Sequence, residues 1–166
     1  MSLFRNRFRI ESARLEGFDY GSNGAYFITI VTQNRRRYFG KIQVNEKQEK
    51  IFVPTAIGQL ASENWKAIRD HYPFVILDEF VIMPDHMHGI LIINKPESGF
   101  WKPNKFGPQS RNVPAIIRSY KSSVKRFANE NGLEFGWQPR YHEHIIRDAH
   151  ALHAIRKYII NNPRKW

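Results

Sequence analysis

The stretch FVILDEFVIMPDHMHGILII, residues 74–93, decides the fold. Two apolar, β-rich runs flank Pro84-Asp85, a pattern that predicts adjacent antiparallel strands joined by a tight turn. The second run opens with His86 and His88. Side chains at i and i+2 of a strand share a face, so both imidazoles can converge on one ion while Met87 turns into the packing. Imidazole is a common ligand for Zn, Mn and Fe. A single His in an apolar run is more often a satisfied core residue. Two at this spacing, beside a turn, are harder to explain by packing, and metal binding is the favoured expectation.

Working outward, residues 24–32 (GAYFITIVT) follow a Gly-Ser-Asn-Gly turn signal and read as a strand. Arg35-Arg36-Arg37 follow as a basic loop. Residues 41–44 and 51–53, on either side of a polar stretch, predict a small hairpin. Thr55 reads as the N-cap of a helix whose apolar face is Ile57, Leu60, Ala61, Trp65 and Ile68, with Pro73 beyond its end. Residues 94–114, rich in Pro, Gly, Asn and Lys, predict a long loop. Pro114 opens a second helix with Ile116, Ile117, Tyr120, Val124 and Phe127 on one face, closed by Asn131-Gly132. A strand over 144–147 follows. Asp148 then caps a last helix carrying Leu152, Ile155 and Ile159, stopped by Pro163. The order strand, hairpin, helix, strand, strand, helix, strand, helix predicts an α+β fold: a two-layer, ferredoxin-like sandwich on a mainly antiparallel sheet. No internal repeat occurs, and residues 1–166 are expected to form one domain without an accessory domain.

The chain has no cysteine, which excludes disulfides, thiolate metal sites and cysteine nucleophiles. No apolar run approaches bilayer length, and the first ten residues alternate Arg with Phe instead of forming a signal-peptide core. A cytoplasmic location is the expectation. Lys and Arg number 26 against 15 Asp and Glu, a net charge of +11 that points to a polyanionic partner. The basic residues cluster at Arg5, Arg7 and Arg9, at Arg35 to Arg37, around Arg118, Lys121, Lys125 and Arg126, and at Arg156, Lys157, Arg164 and Lys165. Aromatic side chains lie among them, a combination suited to single-stranded nucleic acid.

A second His-x-His, His142-Glu143-His144, repeats the spacing of the first. Arg140 and Arg147 crowd it with positive charge, so phosphate contact is the better expectation there than metal. In the last helix Tyr158 and Asn162 stand four apart, on one face and one turn from each other. Packing at the core edge explains the tyrosine taken alone, and a helix end explains the asparagine.

The ordered set of segments is more specific than any one of them. Arg14-Leu15-Glu16-Gly17-Phe18-Asp19-Tyr20, Tyr26 to Arg35, Val81-Ile82-Met83-Pro84-Asp85-His86-Met87-His88, Trp137 to Arg147 and Tyr158-Ile159-Ile160-Asn161-Asn162-Pro163 together resemble the single-tyrosine HUH transposases of small insertion sequences, particularly the REP-associated tyrosine transposases. The resemblance implies a compact sandwich on an antiparallel sheet. It implies His86, His88 and Asn162 as ligands of Mg²⁺ or Mn²⁺, and Tyr158 as the nucleophile that forms a 5′-phosphotyrosine on single-stranded or hairpin DNA, including repetitive extragenic DNA. Arg35, Arg36, Arg37, Arg118, Lys121, Lys125, Arg140, His142 and His144 are the expected DNA contacts. Tyr120, surrounded by basic residues, rivals Tyr158 as nucleophile, but its place in the family pattern argues for packing or DNA contact. Members act as dimers or monomers, and both states stay open. A non-catalytic nucleic-acid-binding module and a water-using metal phosphodiesterase are the competing readings.

Overall fold

The computed structural model describes residues 18–96 and 111–166, together with the strand pairing of Leu3–Phe4 (β1) and Arg7–Phe8 (β2). Strand β3 (Gly24–Val31) is followed by the hairpin β4 (Gly40–Val44) and β5 (Lys50–Pro54). Helix α1 (Ala56–Lys66) and the single turn α2 (Ile68–His71) lead into β6 (Val75–Ile82) and β7 (His86–Ile93). Then come α3 (Val113–Glu130), β8 (His142–Ile146) and α4 (Ala149–Asn161). Residues 97–110, most of the expected long loop, and Arg14 to Gly17 of the family pattern lie outside the described residues.

Capping explains where the helices start. Thr55 Oγ1 accepts from Gly58 N at 3.1 Å, and Asp148 Oδ1 from Ala151 N at 2.7 Å, as expected of both residues. The third cap is Asn112, whose Oδ1 accepts from Ala115 N at 3.0 Å, so α3 begins one residue before Pro114 and holds the proline in its first turn. Pro163 does not stop the chain's winding either. Asn162–Lys165 continues as a 3₁₀ turn with Pro163 in its first turn, where a missing N–H costs no hydrogen bond.

The central sheet has the order β6-β7-β3-β8, and every pair in it is antiparallel. The α+β class and the antiparallel sheet are as expected. The layering goes beyond two, however, because β3 and β7 are apolar on both faces and each face needs cover. Tyr26, Ile28, Ile30, Met87 and Leu91 pack on one side with Trp65 of α1 and with Ile116, Ile117, Tyr120 and Val124 of α3. Phe27, Ile90, Ile92 and Ile146 pack on the other with Leu152, Ile155 and Ile159 of α4. Arg156 of α4 clasps Asp78 of β6 through Nε, at 2.8 Å, and through a second nitrogen. That contact holds the Asp78 carboxyl below the usual carboxylate range and ties α4 to the bulged edge strand, whose register shifts between Leu77 and Phe80.

Gly89 shows how closely α1 lies on the sheet. A Cβ there would stand 2.4 Å from the Trp65 ring, which is fully buried. Gly89→Ala is expected to lower unfolding free energy by about 1–3 kcal/mol through overpacking, read by urea denaturation. An unchanged midpoint would show that the indole can move.

Candidate active site

The register of β3 with β7 builds the site. Thr29 is directly opposite His88, and Val31 opposite His86. Directly paired residues project to the same face, here the α4 face. Thr29 Oγ1 lies 2.8 Å from His88 Nδ1, and Asp85 Oδ1 lies 2.6 Å from His86 Nδ1. A carboxylate only accepts, so His86 donates its Nδ1 proton there, which leaves Nε2 as the nitrogen for a ligand. Thr29 is placed to hold His88 in the same tautomer. The ring centroids are 4.7 Å apart. Sequence reasoning missed both orienting partners: Asp85 read as half of a turn, and Thr29 is 59 positions from its histidine.

Tyr158 reaches this pair from α4. Its hydroxyl is 3.5 Å from His88 Nε2, and its ring meets Phe27 and His88 edge to face. The residue is 44% exposed, so solvent and substrate reach it. Asn162 follows α4 directly, one turn on from Tyr158; its backbone N–H donates to Ile159 O, and its side-chain amide makes no hydrogen bond among the described residues. Trp166 stacks on His86 at 6.0 Å, with the Arg37 guanidinium 5.5 Å from the indole and Lys50 Nζ donating to the Trp166 carbonyl.

Among the described residues no three His, Asp or Glu side chains gather as a metal cluster. Two imidazole Nε2 atoms with both Nδ1 positions held by oxygen nevertheless fit a divalent ion that takes its remaining ligands from oxygen donors.

No family model matches the chain. It is 37% identical over 164 residues to a Haemophilus influenzae protein of uncharacterised function, covering 93% of this chain and 88% of that one. It is 28% identical over 146 residues to a REP-associated tyrosine transposase of Escherichia coli, covering 88% of this chain and 70% of the relative. A solved REP-associated tyrosine transposase bound to a REP hairpin superposes with a TM-score of 0.56 at 25% identity, covering 99% of this chain and 74% of that structure. In sequence and in fold the chain is similar to REP-associated tyrosine transposases.

Eight of the nine expected DNA contacts fall in three places, and Arg140 lies in the segment just before β8. His142 stands opposite Thr29 and His144 opposite Phe27, so both project from β8 on the face of the His86–His88 pair, and both are exposed. Arg118, Lys121 and Lys125 sit on α3, across the sheet. There Lys121 Nζ donates to Gln138 and Arg140 carbonyls at 2.9 and 2.8 Å, and Lys125 Nζ to Phe135 at 2.6 Å. These two ammonium groups tie α3 to the 135–140 segment; the structure does not bring them to the His pair. The basic loop is likewise engaged within the protein: Arg35 with Asp85, Arg36 with Glu134, Arg37 with Trp166. Tyr120 is no rival nucleophile. Its hydroxyl donates to Ala61 O at 3.0 Å within the core on the opposite face, and burial pushes the phenol up.

Lys95 also escaped the sequence reading. It is buried, donates to the Gly21 and Arg111 carbonyls at 2.6 and 2.7 Å, and so joins the described ends of the 97–110 segment. No helix among the described residues is long and apolar enough to cross a membrane.

Burial, and after it the charge of His86, holds the His88 imidazole at about 4 against an ordinary 6.5. The ring is therefore neutral at pH 7, the form that binds metal. The unfolded chain takes a proton at His88 below 6.5, whereas the folded protein resists it down to about 4. Stability is thus fully present above that window and lost as pH falls through it, by up to about 3 kcal/mol. Denaturant titrations of metal-free protein between pH 7 and pH 4 should show this loss, with a shallower slope in His88→Asn. Equal slopes would count against His88 as its source.

Proposed function

We propose that the protein is a divalent-metal-dependent endonuclease and strand transferase for single-stranded DNA that works through a covalent 5′-phosphotyrosine on Tyr158. The observation that carries this reading is the approach of the Tyr158 hydroxyl to within 3.5 Å of His88 Nε2, beside His86. The similar solved transposase is bound to a REP hairpin, and a single-stranded hairpin is the substrate class proposed for this chain too. Its net charge of +11 suits the phosphate backbone.

His86, His88 and Asn162 would hold Mg²⁺ or Mn²⁺, which when bound supplies a Lewis acid for the scissile phosphate. The protein's own groups do the rest. Asp85 and Thr29 fix the two rings so that neither Nε2 turns away. Phe27 and His88 hold the Tyr158 ring on two sides, which limits the directions its hydroxyl takes. Tyr158 Oη attacks phosphorus in line; the P–Oη bond forms, the P–O3′ bond breaks, and the departing 3′-oxygen takes up a proton. The phenolic proton leaves to the solvent that reaches this half-exposed residue. Because the ester is exchanged and not hydrolysed, the 3′-hydroxyl of another strand can reverse the step without a nucleotide cofactor. The Tyr158 hydroxyl reaches His88 of its own chain at 3.5 Å, a geometry that supports action in cis.

Incubation of the protein with Mn²⁺ and a single-stranded hairpin oligonucleotide should yield a protein–DNA adduct that survives denaturing electrophoresis. Cleavage without an adduct would favour a water-using phosphodiesterase. Binding without cleavage would favour a non-catalytic DNA-binding module.

A further inference from the structure

Arg35 reads in sequence as one of three loop arginines facing DNA. In the fold its neighbours diverge: Arg36 pairs with Glu134, and Arg37 lies over Trp166. Arg35 points elsewhere. Asn34 and Arg35 both adopt the left-handed region, with φ of 54° and 52°, a conformation that non-glycine residues hold only where surroundings enforce it. The surroundings here are the turn that presents His86. Thr32 N and Oγ1 both donate to Asp85 O at 2.9 Å, Thr32 Oγ1 also approaches Arg36 O at 2.7 Å, and Phe39 N donates to Pro84 O at 3.1 Å. Loop 33–38 and Pro84-Asp85 are therefore one hydrogen-bonded unit.

The Arg35 guanidinium leaves that unit toward the Asp85 carboxylate, with NH1 3.2 Å from Oδ2, while Oδ1 receives His86 Nδ1 at 2.6 Å. Both carboxylate oxygens are thus occupied, one by the imidazole and one by the guanidinium. The carboxylate side chain is 9% exposed and that of Arg35 65%. A carboxylate held at one oxygen can rotate away from its imidazole; one held at both cannot without breaking two contacts.

We propose that Arg35 is a positioning residue that acts through Asp85 to keep His86 Nε2 directed at the metal position. This rests on the metal-dependent reading above. Histidine ligands depend on the group that orients their second nitrogen, and losing such a group weakens metal binding by about 10- to 100-fold. Arg35 stands one step further out, so the lower end of that range applies.

The test separates metal binding from DNA binding. Mn²⁺ affinity is measured by titration calorimetry on DNA-free protein, and hairpin-oligonucleotide affinity is measured in EDTA. Wild type, Arg35→Ala, Asp85→Asn, the double variant and His86→Ala are compared. Arg35→Ala should weaken Mn²⁺ binding about tenfold, leave hairpin affinity in EDTA within about twofold, and lose cleavage that excess Mn²⁺ restores. In the Asp85→Asn background the Arg35 substitution should add nothing further, since the coupling runs through the missing carboxylate. A fall in hairpin affinity with Mn²⁺ affinity unchanged would return Arg35 to the DNA contacts. Independent, additive losses of Mn²⁺ affinity would show that it does not act through Asp85. If the wild type bound Mn²⁺ no better than His86→Ala, the metal reading would fail, and this inference with it.

Discussion

Tyr158→Phe should abolish the covalent protein–DNA adduct and lower cleavage by about four orders of magnitude or more, as expected when a nucleophile is removed outright. The substitution deletes one oxygen. That oxygen's contact is a 3.5 Å approach to His88 Nε2 on a side chain 44% exposed, so the change in stability should stay within about 0.5 kcal/mol. The ring remains between Phe27 and His88, and affinity for the hairpin should persist. Single-turnover cleavage, gel-resolved adduct and denaturation measured side by side isolate the chemical step. Cleavage at the wild-type rate would remove Tyr158 from the mechanism. A surviving adduct would direct the search to another hydroxyl; the Tyr120 hydroxyl, buried on the far face, offers no access to DNA.

The second large effect is expected of His86→Ala. The proposed site takes its nitrogen ligands from the two imidazoles of β7, whose rings are 4.7 Å apart, and removing one leaves His88 alone of that pair. Mn²⁺ affinity should fall by at least about 100-fold, since a lost ligand costs more than a lost orienting group, and metal-dependent cleavage should fall with it. Hairpin affinity in EDTA, which depends on basic and aromatic groups, should change little. His86 is the better choice than His88 because it lies at the site's rim against Trp166, whereas His88 is buried beneath Tyr158 and stacks on Phe27. Cleavage in EDTA equal to that with metal would sink the cofactor assignment while leaving the tyrosine untouched.

Much of this was legible in the linear chain. Local rules placed the strands around Pro84-Asp85, the N-caps Thr55 and Asp148, and the 4-5 hairpin, because strand alternation, capping and turn chemistry each act within a few residues. The His-x-His spacing and the Tyr158–Asn162 spacing are local in the same sense. The composition alone, with its net charge of +11 and no cysteine, pointed to a polyanion partner and away from thiol chemistry.

What joined these local features was pairing over distance. The β3–β7 register brings Thr29 to His88, and the cover needed by a sheet apolar on both faces puts α4, with Tyr158, opposite the helices that carry Tyr120. The same register shows why the second His-x-His resembled the first: β8 pairs with β3 so that His142 and His144 share the face of His86 and His88. Charge was least legible. Arg35, Lys121 and Lys125 read as DNA contacts because sequence records a cation without its direction. In the fold they meet Asp85 and backbone carbonyls. The sequence by itself determined the elements and the kinds of chemistry they carry, since those rest on neighbours along the chain. Only the tertiary structure decided which donor meets which acceptor, since that depends on strand register and sheet face.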